Sequence, residues 1–159
     1  MYKMILVDFE KCVGCRNCAL ACSLAKEGSF SLAKARLKTL WIPPLGINMP
    51  MPCLHCFKPI CADVCPMEAI SFNENTGAVV INEDRCIGCK MCVIACPLGA
   101  PVVKPEEKTV VKCDLCEGDP ECVKYCVYGA LKLVMADEAA YIKRKVEIEK
   151  FAETLRKLV

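Results

Sequence analysis

The sequence has no glutamine, a single histidine and a single tryptophan. It also lacks G-x-G-x-x-G, G-x4-G-K-S/T and any residue set that pairs a nucleophile with its base. A substrate-converting activity therefore has no visible apparatus, and the chain is expected to be non-catalytic. No stretch approaches the roughly 18 uninterrupted apolar residues of a membrane span. Met1 to Glu10 holds an apolar run of only four residues, broken by Asp8 and Glu10, with no small-residue cleavage site or twin arginine after it. A disulfide scaffold needs an oxidising compartment and a route of export, so the expectation is a cytoplasmic protein with reduced thiols. The missing glutamine, beside abundant Lys, Glu and Val, follows the thermophile trend.

What the chain does have is cysteine: 16 in 159 residues, a density that means disulfides, zinc or iron-sulfur clusters. They fall into four groups of four with none left over. Cys12, Cys15, Cys18 and Cys22 are spaced C-x2-C-x2-C-x3-C, and Cys86, Cys89, Cys92 and Cys96 repeat that spacing before Pro97. Cys53, Cys56, Cys61 and Cys65, followed by Pro66, are spaced C-x2-C-x4-C-x3-C; Cys113, Cys116, Cys122 and Cys126 are spaced C-x2-C-x5-C-x3-C. This is the bacterial ferredoxin run. A C-x2-C-x2-C loop winds around a cube so that three thiolates bind three irons of one cluster. The fourth cysteine, at x3, lies where a helix begins and reaches the neighbouring cluster.

Zinc needs the same thiolates, but an all-cysteine zinc site uses two C-x2-C pairs across a longer spacer. A thioredoxin-like C-x2-C would leave most of the cysteines unexplained. The sequence thus predicts four 4Fe-4S clusters. The formal charge of +2 counts every cysteine as a neutral thiol, and four clusters at about −2 each would bring the holoprotein to about −6. Nucleic acid is then not an expected partner, since that binding rests on surplus positive charge.

VDFEKCVGCRNCALAC (Val7 to Cys22) aligns without a gap on INEDRCIGCKMCVIAC (Ile81 to Cys96), and CADVCPMEAI (Cys61 to Ile70) resembles CVKYCVYGAL (Cys122 to Leu131). The chain therefore reads as two copies of a two-motif unit. Short β-branched runs at Ile5 to Val7, Ala78 to Ile81, Val102 to Lys104 and Val110 to Lys112 predict hairpin strands, and helical turns are expected near Ala19, Ala62, Val93 and Val123. Such short elements bury little apolar area, so the clusters must supply most of the order, and an apoprotein is expected to be largely unfolded. Between groups one and two, ARLKTLW reads as a strand and IPPLGINMPMP as turn-rich. Trp41 is expected to pack over a cluster. From Asp137 onward there is no Gly or Pro, and Tyr141, Ile148, Phe151, Leu155 and Leu158 share a helix face expected to be core.

The four groups in this order, with C-L-H-C in the second, resemble the iron-sulfur subunits of molybdenum and tungsten oxidoreductases, the dimethyl sulfoxide reductase subunit among them. KCVGCRNCALACS, INEDRCIGCKMCVIACP and VVKCDLCEGDPECVKYC are most similar to the small subunits of tungsten aldehyde oxidoreductases and the related benzoyl-CoA reductases. The resemblance implies an α+β fold of two pseudo-symmetric ferredoxin-like modules. Residues 1–22 and 97–135 would form the outer module and 53–96 the inner one, with an insertion at 23–52 and a C-terminal helix at 136–159. It also implies a ligand pairing: Cys12, Cys15, Cys18 and Cys126 (cluster A); Cys22, Cys113, Cys116 and Cys122 (cluster B); Cys53, Cys56, Cys61 and Cys96 (cluster C); Cys65, Cys86, Cys89 and Cys92 (cluster D). Ser23 and Val127 depart from the pattern, standing where ferredoxins often have Pro. His55, beside a complete set of cysteines, is expected to pack near a cluster and donate a hydrogen bond to sulfur or carbonyl.

The expected function is one-electron relay between a larger tungsten- or molybdenum-pterin oxidoreductase subunit and a soluble ferredoxin or another redox subunit. Two alternatives stay open. One is a free polyferredoxin shuttling between enzymes. The other is an electron-transfer subunit of a hydrogenase, formate dehydrogenase or CO dehydrogenase.

Overall fold

The computed structural model describes residues 2–104, 106 and 109–158. The gapless repeat is visible in its backbone: Gly14 and Gly88 sit at φ 73° and 68°, and Arg16 and Lys90 at φ 62° and 64°. Each pair lies at equivalent positions of the two copies. The left-handed turns at Arg16 and Lys90 lead straight into helices α1 (Asn17–Glu27) and α3 (Met91–Ala95). The other two groups start their helices after proline, with α2 (Ile60–Asp63) following Pro59 and α4 (Glu121–Lys124) following Pro120. A proline there fixes φ where the N–H has no helical partner anyway.

α1 packs on α4 and α2 on α3. Among the described residues the strands form four antiparallel two-stranded sheets. β1 (Lys3–Val7) pairs with β8 (Leu131–Met135), Ile5 opposite Leu133, and so joins the two ends of the chain. β2 (Lys38–Ile42) pairs with β3 (Ile47–Met51), β4 (Ile70–Phe72) with β5 (Val79–Ile81), and β6 (Val102–Val103) with β7 (Val110–Val111).

Two cores result. Ile5, Ala19, Ala35, Leu37, Ala78, Leu115 and Leu131 are buried in the first together with Cys18, Cys22 and Cys122; Ile70, Val79, Val110 and Cys92 form the second. β5 is shared between them. Successive strand residues face opposite sides, so Val79 and Ile81 join the second core while Val80 packs against the first.

Several expectations need correction. The segment read as turn-rich contains β3, because β2 supplies a hydrogen-bonding partner that overrides the Pro and Gly signals, and only Pro43–Leu45 with Gly46 makes the turn. Trp41 lies on β2 opposite Asn48 and is 52 % exposed, on the hairpin face that Thr39 and Pro50 turn to the group-one cavity, so it borders that site without being buried in it. Within the range 97–135, Val110 belongs to the second core and Val103 packs against it. Helix α5 (Ala136–Leu158) lies against β1 and β8 and buries Ala139, while Tyr141 and Ile148 face solvent at 69 % and 68 % exposure. The side chains of Phe151, Leu155 and Leu158 lie outside the described residues.

Candidate iron-sulfur centres

Around group one, the chain winds through Gly14 and Arg16 and brings Cys12, Cys15 and Cys18 to one cavity, whose wall also holds Cys126 from the far end of α4. Thr39 and Pro50 of the β2–β3 hairpin line the same cavity. Gly14 suits the fit: its φ of 73° is left-handed, and a Cβ there would come within 2.6 Å of the Asn48 amide nitrogen, so any larger residue would have to displace the Asn48 side chain that the hairpin lays on the loop. Group three is built the same way, its cavity lined by Cys86, Cys89 and Cys92 together with Cys65, and by Ile70, Ile81 and Val110 of the second core.

The buried thiols have neighbours in the same pattern. Burial first, then the nearby Cys113, Cys22 and Cys116 thiols, push the Cys122 thiol well above its ordinary range. Cys61 is raised by burial and by Cys53 and Cys96, against the Lys112 charge. Burial pushes Cys18 and Cys92 up to about 11, with neighbouring thiols adding to it, and Cys113 up to about 12. A thiol so placed keeps its proton in water at neutral pH, whereas metal ligation takes the thiolate. Incorporating iron would therefore release protons from the interior.

Contacts between the groups give them an order. Cys92 feels Cys61, Cys113 feels Cys53, and Cys122 feels Cys18. Neighbouring thiols thus link the groups in succession, that of Cys92 to that of Cys61, that of Cys53 to that of Cys113, and that of Cys122 to that of Cys18. Cys15, Cys56 and Cys89 are exposed, so three of the four loops bring a thiol to the surface.

His55 is 5 % exposed and takes the left-handed φ of 49°. Its Nδ1 accepts a hydrogen bond from the Val79 N–H at 3.0 Å, and its own backbone N–H donates to the Cys53 sulfur at 3.4 Å. The expected donation from the ring to a protein sulfur or carbonyl is absent among the described residues, and Nε2 is buried without a partner. Burial and the Lys112 charge push the imidazole down to about 3. It is neutral, with its proton on Nε2. Backbone N–H groups of Ala69 and Ala100 donate to the sulfurs of Cys65 and Cys96, each at 3.4 Å. Such donors favour thiolate.

The sequence did not reveal a polar girdle around these sites. Arg36 of the insertion reaches Asp114 at 3.2 Å, Glu83 at 3.7 Å and Glu27 at 3.8 Å, and Lys26 reaches Asp114 at 2.7 Å. Burial works to raise the Asp114 carboxyl, but the Lys26 and Cys116 N–H hydrogen bonds and the Lys26 and Arg36 charges outweigh it and hold the carboxyl low. The girdle ties the insertion and α1 to the loop of group four.

Four thiol sets wound by ferredoxin-like loops define an iron-sulfur protein of the ferredoxin kind. Residues 46–136 match the family described as the 4Fe-4S dicluster domain, and the chain belongs to that family. It carries 4Fe-4S clusters, and two sets of its cysteines, Cys12, Cys15, Cys18 and Cys126 and Cys65, Cys86, Cys89 and Cys92, each line one cavity. The chain is 44 % identical over 133 residues to the polyferredoxin-like subunit of the aliphatic sulfonate oxidoreductase of Pyrococcus furiosus, covering 82 % of this chain and 76 % of the relative. It is 36 % identical to an uncharacterised ferredoxin of Methanocaldococcus jannaschii over 96 % of this chain and 84 % of the relative. An electron transport protein of Escherichia coli is 35 % identical over 82 % of this chain and 87 % of the relative. Among the described residues no helix is long and apolar enough to cross a membrane.

Proposed function

We propose that this chain is the non-catalytic electron-transfer subunit of a larger oxidoreductase, relaying single electrons through four 4Fe-4S clusters. The partner we infer is a tungsten- or molybdenum-pterin subunit that oxidises aldehydes, with a soluble ferredoxin or another redox subunit at the other end of the relay. The proposed ligands are Cys12, Cys15, Cys18 and Cys126; Cys22, Cys113, Cys116 and Cys122; Cys53, Cys56, Cys61 and Cys96; and Cys65, Cys86, Cys89 and Cys92.

The observation that carries this reading is the meeting of Cys126 with Cys12, Cys15 and Cys18 in one cavity and of Cys65 with Cys86, Cys89 and Cys92 in another. Each pairs the last cysteine of one group with the first three of a different group. When bound, a 4Fe-4S cluster takes up and gives up one electron at a potential set by its surroundings. The chain's residues set those surroundings. The buried Nε2–H of His55 is a donor available to cluster sulfur, the Ala69 and Ala100 N–H groups reach ligand sulfurs, and the hydrophobic cores keep water from Cys18, Cys92 and Cys122. The subunit role is supported by the naming of the Pyrococcus furiosus relative and by the insertion and α5, which a ferredoxin core does not need.

Affinity capture of tagged protein from its native cells under anaerobic conditions tests this. A larger chain carrying pterin and tungsten or molybdenum should co-purify in fixed ratio. Recovery of the iron-sulfur chain alone, still exchanging electrons with several unrelated enzymes, would refute the subunit role.

A further inference from the structure

Lys112 is 3 % exposed, and among the described residues no carboxylate pairs with it. Its ammonium donates to two backbone carbonyls, those of Val79 and of Cys113, the latter at 3.4 Å. A buried ammonium satisfied only by neutral carbonyls is costly, so a counter-charge is to be sought nearby. Asp114 lines the same cavity as Lys112 but pairs with Lys26 and Arg36, whereas Lys112 directly precedes Cys113 of group four and its contact on Val79 leads through His55 to Cys53 of group two. Those two groups are the inner members of the succession described above.

The hydrogen bonds around Lys112 cross the same boundary. From the Cys113 carbonyl the path runs through the Lys112 ammonium to the Val79 carbonyl. It continues from the Val79 N–H to His55 Nδ1, and from the His55 backbone N–H to the sulfur of Cys53. Val79 lies on β5, the strand shared by the two cores. Lys112 is therefore the charge placed where an electron must pass from one half of the molecule to the other.

We propose that Lys112 is a tuning residue shared by the two inner clusters, the one on the Cys53, Cys56 and Cys61 loop and the one on the Cys113, Cys116 and Cys122 loop. Its fixed positive charge favours the reduced, more negative form of each. Both potentials are held up together, so that an electron steps between the halves without a large uphill move. No bond is made or broken in that step. The proposal rests on the four-cluster reading but not on the cross-pairing, because the three cysteines named for each cluster come from one loop.

The test uses full-length, cluster-loaded protein and redox titration followed by low-temperature EPR, with Cys56→Ser and Cys116→Ser identifying the signals of the two inner clusters. In Lys112→Gln those two clusters should become harder to reduce by about tenfold in the reduction equilibrium, about 59 mV for one electron. The other two should be unmoved. Lys112→Arg, which keeps the charge, should leave all four potentials at their original values. Unmoved potentials in Lys112→Gln, or a uniform shift of all four, would overturn the proposal. If Lys112→Gln fails to retain iron, Lys112→Arg decides: assembly with the original potentials supports the role of charge, while failed assembly or shifted inner potentials refutes it. Fewer than four reducible centres in the unaltered protein would instead tell against the four-cluster reading.

Discussion

Replacing Gly14 by alanine tests whether the β2–β3 hairpin is a structural wall of the first cluster site. Gly14 and Gly28 both have left-handed φ, 73° and 63°, but the space around them differs. An alanine Cβ at Gly28 meets nothing within 4 Å, so Gly28→Ala carries only the backbone penalty, about 1–2 kcal/mol. An alanine at Gly14 carries that penalty and also lands on the Asn48 amide, within 2.6 Å of Nδ2. The amide must turn away and give up its packing on the loop, a coupling of about 0.5–3 kcal/mol for groups in contact. Cluster-bearing proteins do not unfold in two states, so the assay is the anaerobic rate at which an iron chelator bleaches the cluster absorbance. That rate follows local opening of the loop. Gly14→Ala should bleach faster than Gly28→Ala, by about fivefold per extra kcal/mol. Adding Asn48→Gly should remove the excess and leave the backbone penalty. Equal rates for the two alanine variants, or no relief from Asn48→Gly, would refute the hairpin's role as a wall.

Ser23 is fully buried within α1, which continues past Cys22 to Glu27, so Ser23→Pro should break the helix at a cost of about 3 kcal/mol or more. Val127 is 80 % exposed just after α4, and Val127→Pro should leave the thermal midpoint of the holoprotein within a degree or two of its original value. Reversed sensitivities would show that the departures from the ferredoxin proline are not explained by where the helices end. Cys65→Ala should disturb the cluster of Cys86, Cys89 and Cys92 while that of Cys53, Cys56 and Cys61 keeps four thiolates. Anomalous difference density would identify the cube that loses iron, and loss confined to the Cys53 cube would sink the pairing.

The cysteine frame was legible because ferredoxin loops are local. Gly14, Arg16, Gly88 and Lys90 set their turns within a few residues, and the duplication repeats them in sequence. What escaped was decided by distant partners. β3 contains Pro50 and follows Pro43, Pro44 and Gly46, so no local signal announces a strand until Lys38–Ile42 lies beside it. β4 and β8 were missed for the same reason, each depending on a partner strand for its definition. Trp41 lies on the hairpin face that lines the group-one cavity, yet stays 52 % exposed, a placement set by the β2–β3 register and not by its composition. The proline missing after Cys22 is explained by the continuation of α1, with the Ser23 hydroxyl donating to the Leu20 carbonyl and accepting from the Ser31 N–H. Lys112 sits at the end of an ordinary β-branched run. Nothing in that run tells that its ammonium is buried on Val79, 33 positions away.

The central claim is that all sixteen cysteines serve four cubes that act as a relay. The most direct test is to count metal and electrons on one anaerobically purified sample, by iron and acid-labile sulfide analysis joined to coulometric reduction. About 16 iron, about 16 sulfide and about four electrons per chain are expected. Stoichiometric zinc with little iron and no electron uptake would contradict the claim.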